Sequence, residues 1–421
     1  MSSQASPEPR NPSQSYGFAM IVAATIFFLF GFATSLNTSV LQPHLKNIFT
    51  LTYFQAMLVQ SAFFSAYFIL SLPAAGIMGR LGYQKSMVLG LAVMAVGALL
   101  FYPAATTISY GVFLSAVFVL AAGVTMLQVA ANPFVTQLGP PALSSSRMNL
   151  VQAFNSVATA SAPIVGGIFF LSKDVATKAG GTMSSANQVT AANAVKGVYI
   201  GMAIILAILA FILNRLRLNL PEHVQGRTVA SSDSIWRHSH LILGALGIFC
   251  YVGAEVSIGS ILVNYLHQQN ILGLAENTAA NYVAVYWGLM IIGRFAGTAI
   301  LRKVASGTVL STAAAAALIL VLVTMFTGGA LAGFAAVAVG LFNSVMFPTI
   351  FSLAVVDLGP LTGKGSGLIN MAIVGGAALP PLQGYLADTI GIQMSFLVPA
   401  ICYLYILSYG ITGHKVRSAA A

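Results

Sequence analysis

Runs of about twenty apolar residues recur along nearly the whole chain, and no other feature narrows its fold so far. A helix needs roughly 20 such residues to cross the hydrocarbon core of a bilayer. The runs lie near 18–39, 54–77, 86–105, 109–137, 148–171, 196–214, 241–265, 279–300, 309–327, 331–355, 366–386 and 393–412. They are continuous rather than alternating, which favours helices over barrel strands. Lipid also forbids open sheet edges, since no water is there to satisfy them. Only 6% of residues are charged, against about 25% in soluble domains. The expected fold is therefore an all-α membrane protein of twelve transmembrane helices.

The formal net charge is +10. With both termini placed in the cytoplasm, 13 of the 18 basic residues fall on the cytoplasmic side. Lys46, Lys173, Lys178 and Lys196 fall outside, and Arg294 lies within the eighth span. This asymmetry follows the positive-inside rule, so the charge sets orientation and requires no nucleic-acid partner. The reading is a multi-pass protein of a bacterial-type inner membrane, functional as a monomer. Residues 1–16 lack the basic and apolar regions of a signal peptide and read as a disordered cytoplasmic tail. Cys250 and Cys402 both fall in spans and read as small packing residues.

The longest cytoplasmic break, 215–240, divides six spans (17–214) from six (241–413), with 414–421 as a second tail. The stretch 172–193, rich in Gly, Ala, Ser and Thr, reads as a flexible outer loop. The halves match at a near-constant offset. Gly31–Thr38 faces Gly253–Ser260, and Leu138-Gly-Pro140 faces Leu358-Gly-Pro360. Arg147 and Lys364 follow these two tripeptides in turn. Such repeats fold as pseudosymmetric bundles around a midplane site, and rocking of one on the other gives alternating access.

Polar groups within spans face a cavity or a partner helix. The first span offers Asn37 and Thr38, the second Gln60, the fourth Gln128 and Asn132, and the fifth Gln152 and Asn155. The second half adds Asn264, Trp287, Asn343 and Asn370. Carboxamides donate and accept at once, as a sugar's hydroxyls require. Gln152 and Asn155, three apart, share one helical face. A ring such as Trp287 can cover the apolar face of a pyranose. The competing role for each is hydrogen bonding between helices.

Of eight acidic residues, Glu255 alone lies deep in a span. An intramembrane acid there can exchange a proton, or help coordinate Na⁺ with hydroxyl and amide oxygens, or simply bond a neighbour. Pro73, Pro133, Pro163, Pro348, Pro380 and Pro381 lie in or near the spans and can kink them. Arg80 and Lys85 occupy a tight inside turn that can latch the inward side, and Arg147 and Arg294 complete the candidate gating residues. No nucleophile–base pair, metal cluster or Gly-Lys-Ser/Thr phosphate loop is present, which argues against an enzyme or an ATP-driven pump.

Three segments carry a family resemblance: Ala130-Ala-Asn-Pro-Phe-Val-Thr-Gln-Leu-Gly-Pro140 with Arg147–Asn155, Tyr251–Ser260, and Gly293-Arg-Phe-Ala-Gly297 with Pro348–Leu353. The chain resembles the fucose–galactose–glucose:proton symporter family of the major facilitator superfamily, and its seventh span is more similar to the glucose/galactose branch. The resemblance implies sugar contact at Gln152 and Asn155. It also exposes two departures. The family usually has Asn-Asp where this chain has Asn37-Thr38, and the fucose branch has Glu in the region of Gln128. Both remove a carboxylate. Either Glu255 carries proton coupling, or Na⁺ replaces the proton, or the sugar moves uncoupled. The expected function is cation-coupled symport of a neutral sugar such as glucose, galactose or N-acetylglucosamine, with no cofactor beyond the coupling ion. A uniporter and a membrane sugar sensor are the alternatives.

Overall fold

A computed structural model describes residues 12–49, 51, 53–170, 185–216, 218 and 234–416. Twelve long helices organise them. The first half holds α1 (Tyr16–Thr38), α2 (Leu58–Leu81), α3 (Tyr83–Thr107), α4 (Tyr110–Gln137), α5 (Ser144–Phe170) and α6 (Ala191–Arg215). The second holds α7 (Ser239–His267), α8 (Thr278–Ile300), α9 (Ser306–Phe326), α10 (Gly329–Ala354), α11 (Gly359–Ile390) and α12 (Met394–Gly413). Eleven are long and apolar enough to cross a membrane. The exception is α5, with 27 residues but a polar face that carries Asn149, Gln152, Asn155 and Ser156.

The helices outrun the expected spans in two places. Residues 12–16, expected as tail, continue the first helix, which starts at Pro12. Residues 185–193, expected as outer loop, open the helix Ser185–Arg215. Alanines at 186, 191 and 192 supply the helix propensity there. The rest of the N-terminal tail, residues 171–184 and most of the 215–240 linker lie outside the described residues.

Close packing within a half relies on small residues, because lipid offers no hydrophobic drive for helices to associate. A Cβ on Gly97 of α3 would sit 2.4 Å from the Leu120 backbone nitrogen of α4, and one on Gly123 of α4 would sit 2.4 Å from that of Met94. The two backbones touch at these points, and any side chain would force them apart.

The prolines act as more than kinks. Proline removes the N–H that would bond the carbonyl four residues back, and something must replace it in lipid. Pro133 frees the Val129 carbonyl, which accepts a hydrogen bond from the Ser366 hydroxyl of α11 at 2.9 Å. Pro163 frees the Thr159 carbonyl, which accepts from the Ser35 hydroxyl of α1 at 2.8 Å. Pro348 frees the Ser344 carbonyl, which accepts from Arg294 Nε of α8 at 3.4 Å. Each proline thus creates an acceptor for a side chain from another helix. The second-half helices are also interrupted: α10 breaks between Asn343 and Met346, and α11 passes through a tight 3₁₀ turn at Ala372–Val374.

The halves are joined at the end where the linker lies. There α5 meets α8, and α2 meets α11. A Cβ on Gly367 of α11 would lie 2.7 Å from that of Ala75 on α2. Asn149 donates to the Arg294 carbonyl at 2.5 Å and to the Thr298 hydroxyl at 3.2 Å, and the Ser146 hydroxyl donates to the Thr298 carbonyl at 2.8 Å. Ser145 and Ser352 share a 2.8 Å hydroxyl contact. Toward the opposite end, side chains on α7 such as Ser260 and Asn264 become exposed.

Candidate functional site

Glu255 lies midway along α7, one turn beyond Tyr251, whose hydroxyl donates to its Oε1 at 2.8 Å. Tyr286 of α8 points its hydroxyl at the Glu255 carbonyl over a long 3.5 Å. Arg294 lies two turns further along α8, where its Nε donates to the Ser344 carbonyl at 3.4 Å. The same guanidinium crosses to the first half. Its Nη1 donates to the Gln152 carbonyl at 2.9 Å and to the Ser156 hydroxyl of α5. One buried arginine therefore ties α8 across the seam to the helix turn that carries Gln152, while Glu255 is held by Tyr251 on the neighbouring α7.

Two sequence-expected sugar contacts on α5 are open to a ligand. The Gln152 carboxamide makes no hydrogen bond to the described residues, although Gln152 is largely buried. Asn155 donates to the Phe27 carbonyl of α1 at 2.9 Å, which leaves its Oδ1 as a fixed acceptor. That geometry depends on Gly31, because a Cβ there would lie 2.4 Å from Asn155 Nδ2. Gln128 donates to the Tyr67 hydroxyl of α2 at 2.8 Å. Trp287 stands edge-on to Tyr286 with ring centroids 5.2 Å apart and keeps 36% of its surface exposed. Gln60 on α2 is partly exposed, and Asn264 is exposed toward the open end of α7.

Other expected contacts are spent on holding helices together. Asn37 is fully buried; it donates to the Ala33 carbonyl at 2.7 Å and accepts from the Tyr199 hydroxyl of α6 at 3.0 Å. Thr38 donates to the Thr34 carbonyl of its own helix, within a π-helical segment Leu36–Leu41. Asn343 is also fully buried, donating to the Tyr286 hydroxyl at 2.8 Å and accepting from Tyr403 of α12 at 2.7 Å. Asn132 and Asn370 face each other across the seam at 3.4 Å, both without exposure. All four carboxamides are enclosed by neighbouring helices and bond within the protein, although Asn132 Oδ1 accepts no hydrogen bond from the described residues.

The gating set divides in the same way. Arg294 bridges the halves, as described. Arg147 instead caps its own half: it donates to the carbonyls of Val135, Thr136 and Pro140 at 3.2, 2.8 and 2.8 Å. Val135 and Thr136 lie in the last turn of α4, whose carbonyls carry the negative end of the helix dipole, and Pro140 lies just beyond it. Arg80 and Lys85 are exposed and latch onto no acid among the described residues. Cys250 and Cys402 are free thiols. Among the described residues no group of three or more His, Cys, Asp or Glu side chains gathers to hold a metal.

Sequence reasoning missed the tyrosines that complete these networks: Tyr67, Tyr199, Tyr251 and Tyr403. Their signal was weak because an isolated tyrosine in a span reads as packing. Only the position of its hydroxyl shows what it bonds.

The geometry is that of a two-bundle carrier, and comparison with known proteins agrees. The Major Facilitator Superfamily profile matches residues 23–379, and the chain belongs to that family. It is 48% identical over 406 residues to a glucose/galactose transporter of Brucella abortus, covering 96% of this chain and 95% of that one. It is 36% identical over 410 residues to the L-fucose-proton symporter of Escherichia coli, covering 94% and 93%. The solved structure of the transporter FucP in the outward conformation superimposes with a TM-score of 0.84 at 34% identity, over 95% of this chain and 99% of that one. The protein is thus a multi-pass membrane transporter and not an enzyme.

Proposed function

We propose that this protein is a proton-coupled symporter of a neutral hexose of the glucose/galactose type, placed in a bacterial plasma membrane with both termini cytoplasmic. In that orientation the joined end faces the cytoplasm and the sugar site opens outward. The similarity to a named glucose/galactose transporter and to a fucose-proton symporter supports the substrate class. Gln152 and Asn155 bind the sugar, with Gln128 and Trp287 beside them, and Glu255 carries the proton. One monomer forms the whole pathway.

The observation that carries this reading is an acid deep in α7, Glu255, on the helix that packs against α8, whose Arg294 bonds the Gln152 carbonyl across the seam. While Glu255 is ionised, its negative charge compensates the buried guanidinium that bonds α5. A proton on Glu255 removes that compensation and leaves Arg294 as an unbalanced charge in a dry seam. Uncompensated buried charge costs several kcal/mol, of the order that an alternating-access switch needs. Sugar at Gln152 acts on the helix turn that Arg294 holds, so the loaded carrier favours opening of the cytoplasmic end.

The surroundings of Glu255 suit a proton better than Na⁺. Its nearest side-chain partner is a phenol hydroxyl that donates to it, whereas a hard cation wants several converging oxygen acceptors. Uptake of D-glucose and D-galactose into proteoliposomes, with imposed H⁺ or Na⁺ gradients, tests the proposal. Accumulation driven by the pH gradient alone supports it. Equal uptake without any gradient would make the protein a uniporter, and accumulation driven only by Na⁺ would transfer coupling to that ion.

A further inference from the structure

A polar cavity of about 340 Å³ lies between the outer halves of α7 and α11. Ser257, Ser260 and Asn264 line it from α7, and Gln383 and Asp388 from α11. It is separate from the site above. Ser257, Ser260 and Asn264 recur at helical spacing along one stripe of α7, while Glu255 shares another stripe with Tyr251 and Gly259.

Two of its lining residues keep a polar atom that no described residue pairs. Ser257 and Gln383 are each only 1% exposed. Yet Ser257 Oγ and Gln383 Oε1 are buried with no hydrogen-bond partner. Leaving such a group unpaired costs about 1–3 kcal/mol, so native proteins seldom tolerate it without reason. The amide orientation is determined by its neighbours. The Ser395 hydroxyl donates to the Ile392 carbonyl at 2.7 Å, so it receives Gln383 Nε2 at 3.4 Å as an acceptor. Gln383 Oε1 is therefore the free atom. Ser257 likewise leaves unused the carbonyl that a helical serine usually bonds, one turn back.

We infer that this cavity is an outer subsite for a monosaccharide, loaded before the sugar reaches Gln152 and Asn155; the inference rests on the sugar-carrier reading above. The unpaired Gln383 oxygen and the Asp388 carboxylate accept hydroxyl hydrogens, and Asn264 and Ser257 can donate in return. The volume falls in the range of about 300–1,000 Å³ typical of small-molecule pockets and exceeds what a single ion would fill. Closure has a ready lid. Phe64 of α2 packs on Gly376 of α11, within 2.9 Å of where a Cβ would stand. Gln60 lies one turn outward of Phe64 on the same stripe of α2, as Pro380 does relative to Gly376 on α11.

The test is the Michaelis constant for D-galactose measured from each face, in right-side-out and inside-out vesicles. Ser257→Val and Gln383→Leu should each raise it about three- to tenfold from the outside, the effect of one lost hydrogen bond, with maximal rate and inside value unchanged. An unchanged outside constant, or an equal rise from both faces, overturns the subsite. Should either variant misfold, labelling answers the same question. Ser260→Cys, in a Cys250→Ala and Gln152→Ala background, is treated with a membrane-impermeant thiol reagent. Slower labelling in D-galactose supports the subsite, and unslowed labelling overturns it. Failure of the native protein to move either sugar defeats the functional reading as well. Normal transport without protection of Ser260→Cys defeats the subsite alone.

Discussion

The faces that the two halves turn toward each other are related by sequence repetition but differ in chemistry. On α5, Gln152 has a carboxamide with no partner, and Asn155 keeps a free oxygen at a position set by Gly31 and Phe27. On α10, Asn343 has both ends of its carboxamide occupied, by Tyr286 and Tyr403. The second half contributes instead a carboxyl group, Glu255, with a tyrosine hydroxyl attached. A polar residue in a membrane helix is either adhesive or available, and the number of its partners separates the two. The first half carries carboxamides with unused polar atoms, at Gln152 and Asn155. The second holds the acid and a rigid frame around it.

Four substitutions would break or sharpen that contrast. The largest effect should come from Glu255→Gln. It keeps the shape and the bond from Tyr251 but removes the titratable group. Accumulation should fall to the equilibrium level, a loss of about tenfold for each unit of imposed pH gradient at one proton per sugar, while counterflow exchange persists. Full accumulation by this variant would remove the second half's coupling role.

Gln152→Ala should raise the Michaelis constant by about tenfold with little change in thermal stability, because the carboxamide has no protein partner to lose. Asn343→Ala should do the reverse. It leaves two buried hydroxyls short of a partner, at about 1–3 kcal/mol each, so the melting temperature in detergent should drop while sugar affinity in the surviving protein stays near normal. Equal behaviour of these two variants would erase the distinction between adhesive and available amides.

Asn149→Ala should have the smallest effect. It removes two hydrogen bonds between the halves at the joined end. At about 1 kcal/mol net for such bonds, the balance between outward-open and inward-open states should move by about fivefold. Thiol labelling from the cytoplasmic side, at a cysteine placed for the purpose beside α5, would read this directly. No increase in labelling would show that the remaining contacts across the seam hold it without Asn149.

Much of the fold was legible in the sequence because hydropathy is a one-dimensional property. A run of twenty apolar residues has to cross the bilayer whatever its neighbours, and the polar face of α5 did not hide it. The sequence alone also singled out Glu255, since an acid at that depth stands out by composition, and it paired Gln152 with Asn155 by helical periodicity. It did not show that Asn37, Asn132, Asn343 and Asn370 bond to other helices, because such partners lie far away in the chain. Asn343 and Tyr286 are 57 residues apart, and Asn132 and Asn370 are 238 apart.

The prolines show where that boundary falls. Their positions in the spans, and the carbonyls they would release, follow from the sequence and from the missing N–H. Which side chain would come to each carbonyl was decided by packing: Ser366 to Val129, Ser35 to Thr159, Arg294 to Ser344. The same holds for Arg294 as a whole. The sequence placed a charge within a span, but only the tertiary structure brought it from α8 across to Gln152 and Ser156. Lipid makes an unpaired buried polar group costly, and the chain's own order does not say which group will be near to pair it.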